Sequence, residues 1–113
     1  MKIEEYSFGR IVINGKTYTS DVIIFPDRVK GGWWRKEGHC LYIEDLKEVI
    51  EEKPEVLVVG TGAYGAMRVP KETLEELKRH GIEVIVCETK EACKIFNELS
   101  GKKRVVAALH LTC

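Results

Sequence analysis

Glutamine is missing from this 113-residue chain, and asparagine occurs only at Asn14 and Asn97, while glutamate and lysine are abundant. That bias is the one seen in proteins selected at high temperature. Neither charge sign is in excess: 18 basic residues balance 18 acidic ones, which leaves no electrostatic footprint for nucleic acid. No apolar run approaches the roughly 20 residues that span a bilayer, and MKIEEYSF lacks the basic and then apolar regions of a signal peptide. A soluble, cytoplasmic protein with no membrane partner is therefore expected. No two of Cys40, Cys87, Cys93 and Cys113 are separated by only two residues, so zinc-knuckle and thioredoxin-like spacings are absent and no metal is expected. A Cys87–Cys93 bridge is conceivable across a strand-to-helix turn; two free thiols packed as small apolar groups are the simpler expectation.

Apolar residues at 44% and charged residues at 32% describe a globular chain of one domain, residues 1–113, with enough length for one core. Phe8 to Ile13 and Lys16 to Thr19 flank Asn14-Gly15, the dipeptide suited to a type I′ hairpin. Asp21 to Phe25 is an apolar run stopped by Pro26. Ile43, Leu46, Val49 and Ile50 then repeat at helical spacing up to Pro54. Val56 to Val59 reads as a strand buried on both faces, and Pro70 opens a helix with Leu74 and Leu77 inward and Gly81 as its stop. Ile82 to Cys87 reads as a second buried strand. Thr89 is placed to cap a helix carrying Ala92, Ile95, Phe96 and Leu99 on one face, and Arg104 to Leu111 is a last apolar run, parallel or at an antiparallel edge. The fold class is α/β: an N-terminal antiparallel hairpin followed by β-α-β-α-β.

Gly60, Gly62 and Gly65 spell G-x-G-x-x-G directly after a strand, with Glu88 about where a ribose-binding acid would stand. The dinucleotide fingerprint needs its helix to open within the glycines, however, and here Ala66 to Val69 intervene before Pro70. No nucleotide cofactor is expected. A looser site survives, because loops at the carboxyl ends of parallel strands are where open α/β sheets bind ligands. The amides of Thr61 to Gly65, the Thr61 hydroxyl, Tyr64 and Arg68 could hold a small anion; a tight crossover that merely requires glycine explains the same residues equally well. Trp33 and Trp34 in a glycine-rich loop are either a plug between the hairpin and the α/β part or an aromatic lip with Arg35 as a clamp. His39 is a lone loop histidine. No G-x-S-x-G elbow, H-E-x-x-H or P-loop lysine is present, so the catalytic residues are unassigned.

The order of NGKTY, DVIIFP, WWR, VLVVGTG, T-x-x-A-x-x-x-F-N-E-L (Thr89 to Leu99) and RVVAAL resembles a small family of mostly uncharacterised α/β proteins. That family includes the adipogenesis-associated Mth-domain protein and a mitochondrial complex I assembly factor. The resemblance implies a three-layer fold of β-layer, mixed sheet and helices, places Trp34, Gly60, Thr61, Gly62, Thr89, Asn97 and Arg104 at motif positions, and brings no agreed enzymatic activity. Cys87 and His110-Leu111 depart from the pattern. Two functions follow as expectations: a non-enzymatic interaction or assembly-factor-like module with a protein partner, or a binder of a small anionic ligand, or an enzyme, using Gly60 to Arg68 with Trp34, Arg35, Glu88, Thr89 and Asn97 as rim.

Overall fold

The computed structural model describes all 113 residues. Three antiparallel strands, β1 (Ile3–Ser7), β2 (Arg10–Ile13) and β3 (Lys16–Tyr18), form a small sheet. The β2–β3 turn is the expected one, with Asn14 at φ 49° and Gly15 at φ 80°. A five-stranded sheet carries β4 (Val22–Ile24), β5 (Val29–Gly31), β6 (Val56–Gly60), β7 (Glu83–Cys87) and β8 (Val105–Leu109) in the order β5-β4-β8-β6-β7. Three helices complete the chain: α1 (Lys47–Glu52), preceded by a 3-10 turn at Ile43–Leu46, α2 (Lys71–Arg79) and α3 (Thr89–Leu99).

Alternation along the strands divides the core in two. Val56 and Val58 of β6, Val105, Ala107 and Leu109 of β8, and Val22 and Ile24 of β4 face the small sheet and α3, meeting Ile3, Ile11, Ile13, Ala92 and Phe96. Leu57, Val59, Val106, Ala108 and Ile23 face the other way, onto Trp33, Leu41, Leu46, Val49, Met67 and Leu77. The result is three layers around a mixed sheet, as expected.

Of the two arrangements expected for the last run, the parallel one is present: β8 runs parallel to β6, is the central strand, pairs antiparallel with β4, and has all five residues buried. One assignment needs correcting: the run at Ile82–Cys87, expected to be buried, gives an edge strand, β7, whose Val86 is 42% exposed. Both runs are equally apolar, so only the non-local strand order distinguishes them. The sequence reading also passed over β1 and β5.

What fixes β1 is a side chain. The amide of Asn97 in α3 imitates a strand partner: Oδ1 accepts from Ile3 N at 2.9 Å and Nδ2 donates to Ile3 O at 2.7 Å. Asn97→Leu should leave both groups of Ile3 unpaired beneath the helix and destabilise the protein by about 1–3 kcal/mol. Urea unfolding measures the loss, and amide exchange should accelerate in β1 before it does in β8.

Candidate functional site

The registers bring Gly31, Val22, Leu109, Gly60 and Cys87 into one row across the sheet. Everything following that row, the loop after β5, the residues after β8, the glycine loop after β6 and the start of α3, therefore gathers at one edge. At about 4.8 Å per strand the row is about 19 Å long.

The glycine loop is folded onto itself and onto the residues after β8. Thr61 N donates to Cys87 O at 2.9 Å, Ala63 N to Thr112 O at 2.6 Å, Ala66 N to Cys113 O at 2.9 Å, Met67 N to Thr61 O at 3.0 Å and Arg68 N to His39 O at 2.9 Å. Gly65 N reaches Gly62 O at 3.4 Å, and Gly62 N donates to Thr89 Oγ1 at 2.8 Å. Four of the five amides from Thr61 to Gly65 are thus committed within the chain, all but that of Tyr64. This corrects the expectation of free amides for an anion. The Thr61 hydroxyl is likewise spent on Cys87 O, at 3.1 Å.

Glycine is required here by close approach. A Cβ on Gly60 would lie 2.8 Å from both Thr89 Oγ1 and Leu109 Cδ2, and one on Gly62, at φ 110°, only 2.4 Å from the Cys113 carbonyl carbon. Thr89 does not cap α3 as expected: Glu88 is the N-cap residue and makes no side-chain cap bond. The Thr89 hydroxyl instead donates to His110 O at 2.6 Å while accepting from Gly62 N. Glu88 stands beside Gly65. Asn97 belongs to β1, about 12 Å along α3 from Thr89 at 1.5 Å per residue, and so does not join the rim. Arg104 lies at the opposite end of the sheet, where it ion-pairs with Glu52.

Both readings of the tryptophans hold, one for each residue. Trp33 is buried and its Nε1 donates to Asp45 O at 3.1 Å. Trp34 is 78% exposed above an open groove of about 450 Å³ edged by Lys30, Lys36, Lys47, Glu44 and Glu48. Across the edge, Tyr64, 76% exposed, meets Phe8, 54% exposed, at 6.1 Å between ring centroids. Arg68 points its side chain to solvent while its backbone pairs with His39 and Leu41.

Arg35 is not a rim clamp but a buried cation. Its Nη1 is 2.8 Å from Asp21 Oδ2, Nη2 donates to Gly38 O at 2.8 Å, and the guanidinium lies 4.7 Å from the Trp33 ring centre. Asp21 Oδ2 is also 2.7 Å from His110 Nδ1, and Oδ1 accepts from Leu111 N at 2.8 Å. Arg35 Nη2 is 3.1 Å from the same His110 Nδ1. A ring nitrogen cannot donate to a carboxylate and accept from a guanidinium at once, so we assign Nδ1–H to Asp21 and leave Nη2 to Gly38 O. His39 stands edge-on to His110 at 5.6 Å. Burial pushes the Asp21 carboxyl up, but the bonds from His110, the Leu111 amide and Arg35 outweigh it and hold Asp21 below its usual range. The sequence reading missed Asp21 and His110. The available signal was their placement, one ionisable residue heading an apolar run and one trailing another.

Cys87 and Cys93 are free thiols, both raised by burial, Cys93 to about 12 with help from Cys87. No helix is long and apolar enough to cross a membrane.

Fold and site together define a class: a small three-layer α/β domain whose loop edge is closed by its own backbone and displays aromatic side chains. The chain belongs to the family described as "Protein of unknown function (DUF498/DUF598)", whose model matches residues 3–110. It is similar to NADH dehydrogenase (ubiquinone) 1 alpha subcomplex assembly factor 3 of Danio rerio, 39% identical over 109 residues that cover 94% of this chain and 61% of that protein. The Homo sapiens protein of the same name is 32% identical over 111 residues, covering 96% and 59%. The chain thus spans about three fifths of the length of these relatives. A conserved hypothetical protein from Pyrococcus horikoshii OT3 has the same fold, with a TM-score of 0.86, 38% identity and full coverage of both chains. The resemblance drawn from motif order is confirmed.

Because the Asp21 pKa is depressed on folding, its stabilisation is complete above the unfolded value near 4 and is lost as pH falls through the folded value. Urea titrations of the wild type should show this loss below about pH 4. Asp21→Asn should lack that acid-dependent part and be less stable at pH 7 by about 3 kcal/mol, the cost of stranding the Arg35 charge. Gly62→Ala should destabilise by more than about 1 kcal/mol, since it combines a strained φ with a backbone clash; a thermal melt reads it directly.

Proposed function

We propose that this chain is a non-enzymatic interaction module of the assembly-factor type, which holds a protein partner against the loop edge of its central sheet. The observation that carries this reading is Trp34, 78% exposed at the rim of a groove edged by both charge signs. Large aromatics surrounded by polar groups that exclude water are the usual anchors of protein interfaces. Tyr64 and Phe8 supply a second aromatic patch on the same edge. The similarity to proteins named assembly factors supports the class of role. The commitment of the loop amides within the chain favours a surface over a small-anion pocket.

The residues proposed to meet the partner are Trp34, Tyr64 and Phe8, with Arg68 and Glu88 as charged neighbours. The buried set Asp21, Arg35 and His110 acts as a support that fixes the Trp34 loop. Affinity purification from source cells, followed by titration with the purified partner, tests the proposal. Trp34→Ala should weaken that partner by about 30-fold, corresponding to about 2 kcal/mol for an interface anchor, with melting temperature unchanged. Equal recovery and equal affinity with the variant would reject the surface.

A further inference from the structure

The chain shields three of its four sheet edges. β3 is the polar three-residue strand KTY, β5 is three residues long with Lys30 ion-paired to Glu48, and β1 carries Glu4 and Glu5 and is pinned by Asn97. Short length, charge and coverage are the ordinary protections of an edge. β7 is the least protected: it is five residues long and its one charge, Glu83, stands at its first position. Its sequence EVIVC contains no lysine or proline, its register with β6 runs unbroken from Glu83 to Cys87, and Val86 is the exposed apolar residue on it.

The free edge is self-complementary. Glu83 N donates to Glu55 O and Cys87 O accepts from Thr61 N, so the odd-numbered residues of β7 turn their backbone groups toward β6. Alternation then leaves the N–H and C=O of Val84 and Val86 facing outward. We propose that β7 pairs antiparallel with β7 of a second copy about a two-fold axis at Ile85, joining two five-stranded sheets into one. In that register Val84 opposes Val86 of the second copy and the reverse, giving four backbone hydrogen bonds, and Ile85 faces its own copy as the non-hydrogen-bonded pair.

Side chains fit the same register. Val84 lies on the α2 face of the sheet, where an open groove of about 570 Å³ runs between Leu74, Lys78, Ile82 and Val84. Val86, two residues on, shares that face and enters the groove of the second copy. A strand of another protein would have to match both the spacing of Val84 and Val86 and the groove beside Val84, a match that β7 itself supplies. The β7 edge does not include Trp34, Tyr64 or Phe8, the aromatic anchors proposed for the assembly-type partner.

Sedimentation equilibrium over a concentration series tests the pairing. The wild type should approach twice its 12.9 kDa chain mass as concentration rises. Val86→Lys, which places a charge on the edge, and Val86→Pro, which deletes an outward N–H on an edge strand, should each weaken association at least tenfold while keeping the wild-type circular dichroism spectrum. In a Cys87→Ser, Cys113→Ser background, Ile85→Cys should form a disulfide-linked dimer under mild oxidation, because non-hydrogen-bonded antiparallel pairs bring Cα atoms within disulfide range. A monomer at every concentration overturns the proposal. So does a dimer that neither Val86 variant weakens, or one in which Ile85→Cys fails to cross-link.

Discussion

The hydroxyl of Thr89 holds the loop edge together. It donates to His110 O and accepts from Gly62 N, tying the end of β8, the glycine loop and the first turn of α3 at one buried oxygen. Gly60 has no side chain because that oxygen and Leu109 fill the place a Cβ would take. With His110 held in this way, its ring reaches Asp21 at the head of β4, and Asp21 in turn holds Arg35 and the tryptophan loop. Leaving any one of these buried polar groups unpaired costs about 1–3 kcal/mol, so the edge is stable only as a whole. An opening large enough for a ligand would have to break several such bonds together.

That closure changes the meaning of the glycine motif. The same three glycines that spell a nucleotide fingerprint serve close packing: two strands, a helix start and the residues after β8 crowd into a space where side chains do not fit. The chemistry left for the outside is aromatic surface. Trp34 follows β5, and Tyr64, packed with Phe8, follows β6, three strand spacings or about 14 Å along the row. That is the surface proposed to meet a protein partner.

Local signals in the sequence were enough for much of the fold. The Asn14-Gly15 turn, the strand before Pro26, the β6 run, the helix after Pro70 and the α3 stripe each rest on neighbouring residues, and each is present. What sequence reading could not resolve depends on partners far along the chain. β1 is held by Asn97, more than 90 positions away, and β5 is three residues that become a strand only beside β4. β7 and β8 look alike as apolar runs, yet one is the edge and the other the centre. Arg35 read as a surface clamp because Asp21 and His110, its charge partner and ring neighbour, are 14 and 75 positions away. Thr89 read as a cap because its hydroxyl sits at a helix start, while its real acceptor, His110 O, is 21 positions on. In each case a nearby rule was overridden by a distant hydrogen bond.

The central claim is that the glycine loop is a closed structural junction rather than an open anion cradle. Native-state amide exchange at Gly62, Ala63 and Ala66, followed by NMR with and without inorganic phosphate, tests it most directly. The account predicts slow exchange close to that of β8, with neither protection nor amide shifts altered by phosphate. Fast exchange at these three amides, or saturable phosphate-dependent shifts centred on them, would contradict it.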